Sequence, residues 1–121
     1  LEREKLRGVR RLLRAFGASL DGLAAAIRGE AAFRQELLIA IVAIPAGLWL
    51  GRTGVERALL VGPVLLVLII ELVNSAIEAA IDRISLDRHP LSGLAKDLGS
   101  AAVLASFLLL GVIWALVLLD R

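Results

Sequence analysis

The sequence contains no cysteine, which excludes a disulfide, a thiolate metal site and a thiol nucleophile. Its single histidine, His89, rules out a multi-histidine metal centre within one chain. There is no Walker-type glycine-rich loop, kinase His-Arg-Asp loop, zinc motif or serine nucleophile elbow. The N-terminal stretch lacks the apolar core of a signal peptide, so no cleavable leader is expected and the membrane segments should remain in the mature protein.

What is present is hydrocarbon. The 121 residues, enough for one domain spanning 1–121, are 59% hydrophobic. The mean hydropathy is +0.84, a membrane composition. The net charge of +2 is unevenly placed, with eight of the 14 basic residues in residues 1–34.

Residues 1–16 read as an amphipathic helix. Leu6, Val9, Leu13 and Phe16 recur at helical spacing, and Arg3, Lys5, Arg7, Arg10, Arg11 and Arg14 cover the other side. This suits a helix lying on an anionic cytoplasmic leaflet, with a DNA-binding or solvated basic helix as the competing reading. Gly17 and Gly22 are expected to interrupt the pattern, and Asp21 to cap the next helical stretch. The surface helix is expected over about 3–28, followed by spans over about 30–51, 55–84 and 91–119.

The first uncharged run, Leu37 to Gly51, rises roughly 22 Å as helix, short of a ~30 Å hydrocarbon core. Its helix must therefore start upstream, through Glu36 and Arg34. Glu30 and Arg34 stand at i, i+4 and are expected to pair. Pro45 is a candidate kink, and Trp49 and Trp114 are candidate interfacial aromatics. Gly51 to Gly54 is a tight turn, and Ser85 to Pro90 a second loop. The uncharged run from Leu98 to Leu119 is the clearest span. The positive-inside rule puts the N-terminus and residues 83–97 in the cytoplasm. The polar clusters around Glu30, Glu71 to Asp82 and Lys96 then converge on the cytoplasmic side.

The chain is organised around Glu71-Leu-Val-Asn-Ser-Ala-Ile-Glu78. It follows the uncharged run Ala58 to Ile70. Glu71, Asn74, Ser75, Glu78 and Asp82 are spaced to share one helix face. Carboxylates in hydrocarbon are costly and usually face a bundle interior or water. Carboxylates without His or Cys suit a hard cation such as Mg²⁺ with substrate phosphates, and nearby Lys and Arg suit phosphate charge. A partly desolvated Glu can act as a general base. Together these describe phosphoryl transfer to a lipid. Three other readings stay open on the residues alone: a polar seam that joins helices, a proton-coupled exporter using Glu71, and a cation channel formed by oligomerisation.

The blocks Glu30-Ala-Ala-Phe-Arg-Gln-Glu36, Glu71 to Glu78 with Asp82 and Arg83, and His89 with Ser92, Gly93 and Ala95-Lys-Asp-Leu-Gly-Ser-Ala-Ala-Val103 carry a resemblance. Through them the chain resembles the small integral-membrane diacylglycerol kinases of Gram-negative bacteria over nearly its whole length. The resemblance implies an all-α membrane fold, a homotrimer with active sites at subunit boundaries, the bacterial inner membrane, and transfer of the ATP γ-phosphate to diacylglycerol. By the same resemblance Glu71 looks like the general base, supported by Asn74 and Ser75, and Glu30 and Glu78 look like the carboxylates that hold Mg²⁺ on ATP. Arg11, His89, Lys96 and Asp97 fall where the family contacts the nucleotide. Arg34, Gln35, Glu36, Trp49 and Ser100 fall along its lipid cleft. The sequence departs from the family at Ala18, where a Tyr lining the nucleotide site is common, and at Leu20, Ile27, Asp87 and Arg88. The undecaprenol kinases of the same family share the Glu-x-x-Asn-Ser-x-x-Glu core, but the Phe-Arg-Gln-Glu and Lys-Asp-x-Gly-Ser-Ala-Ala blocks favour the diacylglycerol branch.

Overall fold

The computed structural model describes residues 1–121, which form four helices joined by short connections: α1 Glu2–Gly29, α2 Ala31–Leu50, α3 Gly54–Ile84 and α4 Pro90–Leu119. The last three are each long and apolar enough to cross a membrane. Helix α2 begins well upstream of its uncharged run and takes Arg34 and Glu36 into the helix. Pro45 and Pro63 lie inside α2 and α3 without ending either one.

Helix α1 runs unbroken through Gly17 and Gly22, and Asp21 lies in its interior, so neither the expected interruption nor the expected cap exists. A helical glycine costs only about 1 kcal/mol relative to alanine. The surrounding Arg, Leu and Ala are strong helix formers and no proline opposes them.

The break between α1 and α2 is one residue wide. Glu30 is extended (φ −119°, ψ 105°) and ends one helix while starting the next. The expected Glu30–Arg34 pair does not form. Arg34 Nη1 instead donates to the carbonyls of Ile27 at 2.9 Å and Arg28 at 3.0 Å. The last carbonyls of a helix lack intrahelical partners and carry the negative end of its dipole, so they attract a guanidinium. With Glu30 outside both helices, the side-chain spacing of a continuous helix is lost.

At the α2–α3 turn, Thr53 Oγ1 accepts from the Glu56 amide at 3.1 Å and caps α3. Glu56 Oε1 accepts from the Arg52 amide at 3.3 Å and from Arg121 Nη2 at 3.0 Å. Gly51 is required there, since a Cβ would come within 2.9 Å of the Arg57 amide nitrogen.

Helix α3 is central and packs against both α2 and α4, whereas α1 touches α2 only lightly. Phe33, Ala40, Leu60, Val64 and Val67 form the buried apolar seam, and Gly47 lets α2 approach Leu60 closely. Trp114 Nε1 donates to the Leu60 carbonyl at 2.9 Å and ties α4 to α3 at the same end. Only 14 of the 121 residues are buried. Helix α4 buries just Gly99 and Ser106, leaving Leu98, Leu104, Leu108, Val112 and Leu116 exposed. An apolar surface this large is unfavourable in water but costs nothing against lipid tails, which are as apolar as leucine.

Candidate functional site

The polar residues gather where α2, α3 and α4 meet, at the end of the bundle next to the Glu30 break. Glu71 is 5% exposed, Asn74 7% and Glu36 8%. These are polar side chains inside a helical seam, where an unpaired polar group costs several kcal/mol in hydrocarbon. Glu36 of α2 and Glu71 of α3 lie close enough for their carboxyl groups to act on one another, and Glu36 Oε2 is buried with no hydrogen-bond partner. The pairs Gly47–Leu60 and Glu36–Glu71 are separated by eleven residues on each helix. That is about three turns, so both pairs belong to one antiparallel seam. The helical period that packs glycine on leucine at one end therefore sets carboxyl beside carboxyl at the other.

Further along the same face, Asn74 Nδ2 donates to Glu78 Oε1 at 3.4 Å and is also within reach of Glu71. Glu30 and Glu78 are close enough to repel Glu71 electrostatically. Three carboxylates from α3 and the α1–α2 break thus share one field, with Glu36 beside them. No three acidic or histidine side chains converge tightly enough to hold a metal by themselves.

Two grooves border this face. One, of about 590 Å³, runs between α1 and α3 and is lined by Ser19, Gly22, Ala26, Glu30, Ser75 and Ala79. Leu23 and Leu72 also line it. The other, of about 470 Å³, lies under the α3–α4 loop, lined by Asp82, Asp87, Arg88, His89, Ser92 and Lys96. Lys96 Nζ lies 2.8 Å from Asp82 Oδ1. His89 Nδ1 accepts from the Leu91 amide at 3.1 Å and caps α4. That bond assigns the proton of a neutral His89 to Nε2, which is left as a donor.

Of the residues singled out from the sequence, Glu30, Glu36, Glu71, Asn74 and Glu78 come together. Lys96 joins them closely enough for its charge to act on Glu78. His89 shares the Lys96 groove, while Asp97, Ser100, Gln35 and Arg34 are exposed nearby on their helices. Arg11 stands apart beside Glu4, Arg7 and Gly8, roughly 28 Å of helix from Glu30. Trp49 is 85% exposed and lies roughly 20 Å along α2 from Glu36. Two features escaped the sequence reading. Glu36 lies close to Glu71, and Gly99 of α4 packs directly on Asn74. The signal for Gly99 was its place one turn after Lys96, on the stretch of α4 that faces α3.

The sequence profile of the family described as prokaryotic diacylglycerol kinase matches residues 17–118. Among curated proteins, the chain is similar to the diacylglycerol kinase of Pseudomonas aeruginosa, 54% identical over 112 residues that cover 93% of this chain and 91% of that protein. It is similar to the diacylglycerol kinase of Escherichia coli at 46% over 111 residues, covering 92% and 91%. The diacylglycerol kinase of Haemophilus influenzae is 44% identical over 110 residues, covering 91% and 93%.

Proposed function

Because the chain belongs to the prokaryotic diacylglycerol kinase family, we propose that its buried carboxylate face transfers the γ-phosphate of ATP to the free hydroxyl of diacylglycerol, at the cytoplasmic surface of the bacterial inner membrane. The chain is a diacylglycerol kinase, and its three apolar helices fit a lipid-embedded enzyme. The observation that carries the site assignment is the burial of Glu71 at the polar end of α3, beside Asn74 and within the field of Glu30 and Glu78.

Glu71 is assigned as the general base for the lipid hydroxyl. It takes the hydroxyl proton as the oxygen attacks the γ-phosphorus. The P–O bond to the β-phosphate breaks, ADP leaves, and phosphatidic acid remains in the membrane. Asn74 orients the two carboxylates through its amide. Lys96 and His89 Nε2 supply donors to the phosphates, with Asp97 also on the nucleotide side and Arg11 assigned there by the family resemblance, since within one chain it stands apart from this site. Arg34, Gln35, Glu36, Trp49 and Ser100 border the path of the lipid.

Glu30 and Glu78 offer only oxygen donors and make no ion pair, so they fit a hard cation that takes its remaining ligands from substrate phosphates. We assign that cation as Mg²⁺, which when bound neutralises phosphate charge. Helix α1, basic on one side and apolar on the other, lies on the anionic leaflet. The assembly assigned is a homotrimer in which copies of the chain share sites, as the family resemblance implies.

The test is transfer of labelled γ-phosphate by purified protein in mixed micelles, with diacylglycerol and undecaprenol compared, with and without Mg²⁺. Mg²⁺-dependent labelling of diacylglycerol is expected. Preference for undecaprenol would move the substrate assignment, and no labelling by folded protein would reopen the transport readings.

A further inference from the structure

We infer that Gly99 is a positioning residue for the reaction. Its missing side chain lets α4 press on the Asn74 amide and hold it against the Glu71 and Glu78 carboxylates. The inference rests on Asn74 supporting those carboxylates, as proposed above.

Asn74 has two ends to satisfy. Its neighbours on one side, Glu71 and Glu78, are acceptors, so the amide NH₂ must point toward them. The amide oxygen is then left facing α4, where it is buried with no hydrogen-bond partner. What it meets is Gly99, one of only two buried residues on α4. A Cβ at position 99 would overlap the Asn74 oxygen and lie 3.2 Å from its Cγ. Any side chain there forces the amide to turn or the helices to separate.

Separation is opposed along the α3–α4 contact, where Trp114 holds the Leu60 carbonyl at 2.9 Å four turns beyond Gly99. The strain of an added methyl therefore falls on Asn74, a short side chain with only two torsions. Turning it removes the donor from Glu78 and Glu71. Other glycines of the same helix have no such duty, since a Cβ at Gly93 or Gly111 would meet nothing within 4 Å.

The experiment is a double-mutant cycle of Gly99→Ala and Asn74→Ala, with Gly111→Ala as the control for glycine replacement in α4. Turnover and both KM values are measured in mixed micelles, and folding by size-exclusion and thermal unfolding in detergent. Gly99→Ala is expected to lower kcat on the order of tenfold to a hundredfold, the cost of a small displacement at reacting groups. The KM for diacylglycerol should stay within about twofold, whereas the KM for ATP should rise, because the turned amide also leaves Glu78, the proposed metal carboxylate. Gly111→Ala should match the unaltered protein. In the Asn74→Ala background the methyl has room, so the double variant should turn over no more slowly than Asn74→Ala alone.

Losses that multiply in the double variant would overturn the inference, as would full turnover in Gly99→Ala while Asn74→Ala is slow. Full turnover in Asn74→Ala would instead sink the supporting role given to Asn74, and the inference with it. If Gly99→Ala fails to accumulate in folded form, the double variant decides. Folded protein with the turnover of Asn74→Ala supports the inference, and continued failure to fold assigns Gly99 to helix packing alone.

Discussion

Lys96 Nζ lies 2.8 Å from Asp82 Oδ1, which joins α4 to α3 at the mouth of the 470 Å³ groove. Both side chains are nearly half exposed, at 43% and 46%, so water and salt screen the pair and it adds little to stability. Asp82 instead competes with an incoming phosphate for the Lys96 ammonium, which also lies within the field of Glu78. Lys96→Met should raise the KM for ATP roughly tenfold or more, the cost of losing a charge-assisted contact. Asp82→Asn should leave thermal unfolding unchanged and should not raise that KM. Steady-state rates with varied ATP at saturating diacylglycerol check both, and an unaltered KM in Lys96→Met would confine Lys96 to the ion pair.

Glu71→Gln should lower kcat by about 10²–10⁴, the usual contribution of a general base. It should not lower thermal stability. Glu71 has Glu36 beside it and Glu30 and Glu78 nearby, so neutralising it leaves no cation without a partner and removes like-charge repulsion. A variant that is both slow and markedly less stable would show Glu71 to be part of the helix packing instead.

Glu78→Gln should shift the metal dependence. Losing even an outer partner of a metal ligand costs roughly 10- to 100-fold in affinity, and losing a ligand should cost at least as much. Binding of Mn²⁺ with ATP, followed by electron paramagnetic resonance, should weaken by that factor while the helical circular dichroism stays the same. Equal Mn²⁺ binding would remove Glu78 from the metal site.

Arg34→Gln should loosen α1 without disturbing α2 to α4. The guanidinium satisfies two terminal carbonyls of α1 across a one-residue break, and little else holds α1 in place. Amide hydrogen exchange should quicken over the last turn of α1 and at Glu30, and remain unchanged in the α2–α3 seam. Arg34→Lys should be intermediate, because an ammonium lacks the planar fork of a guanidinium. If exchange in α1 is unaltered, its orientation is set elsewhere.

The sequence by itself determined the class of the molecule. Helices α2, α3 and α4 are long and apolar enough to cross a membrane, α2 only by drawing in polar residues upstream of its uncharged run, and the tight Gly51–Gly54 turn returns the chain antiparallel. It also determined which residues of α3 share a face, because the helical period is a local property. Glu71, Asn74 and Glu78 could be placed on one side of α3 before any partner was known. It did not determine what lies opposite that face. That Glu36 meets Glu71 depends on the α2–α3 register, which is fixed by how closely Gly47 packs on Leu60 three turns away. That Gly99 meets Asn74 depends on the distance between α3 and α4, set by side chains far apart in the chain. The fate of Arg34 was likewise decided by the break at Glu30, since the i, i+4 rule that pairs the two residues holds only inside an unbroken helix. Local spacing therefore identified the acidic face, and the packing of three helices around it decided which groups can act on one another.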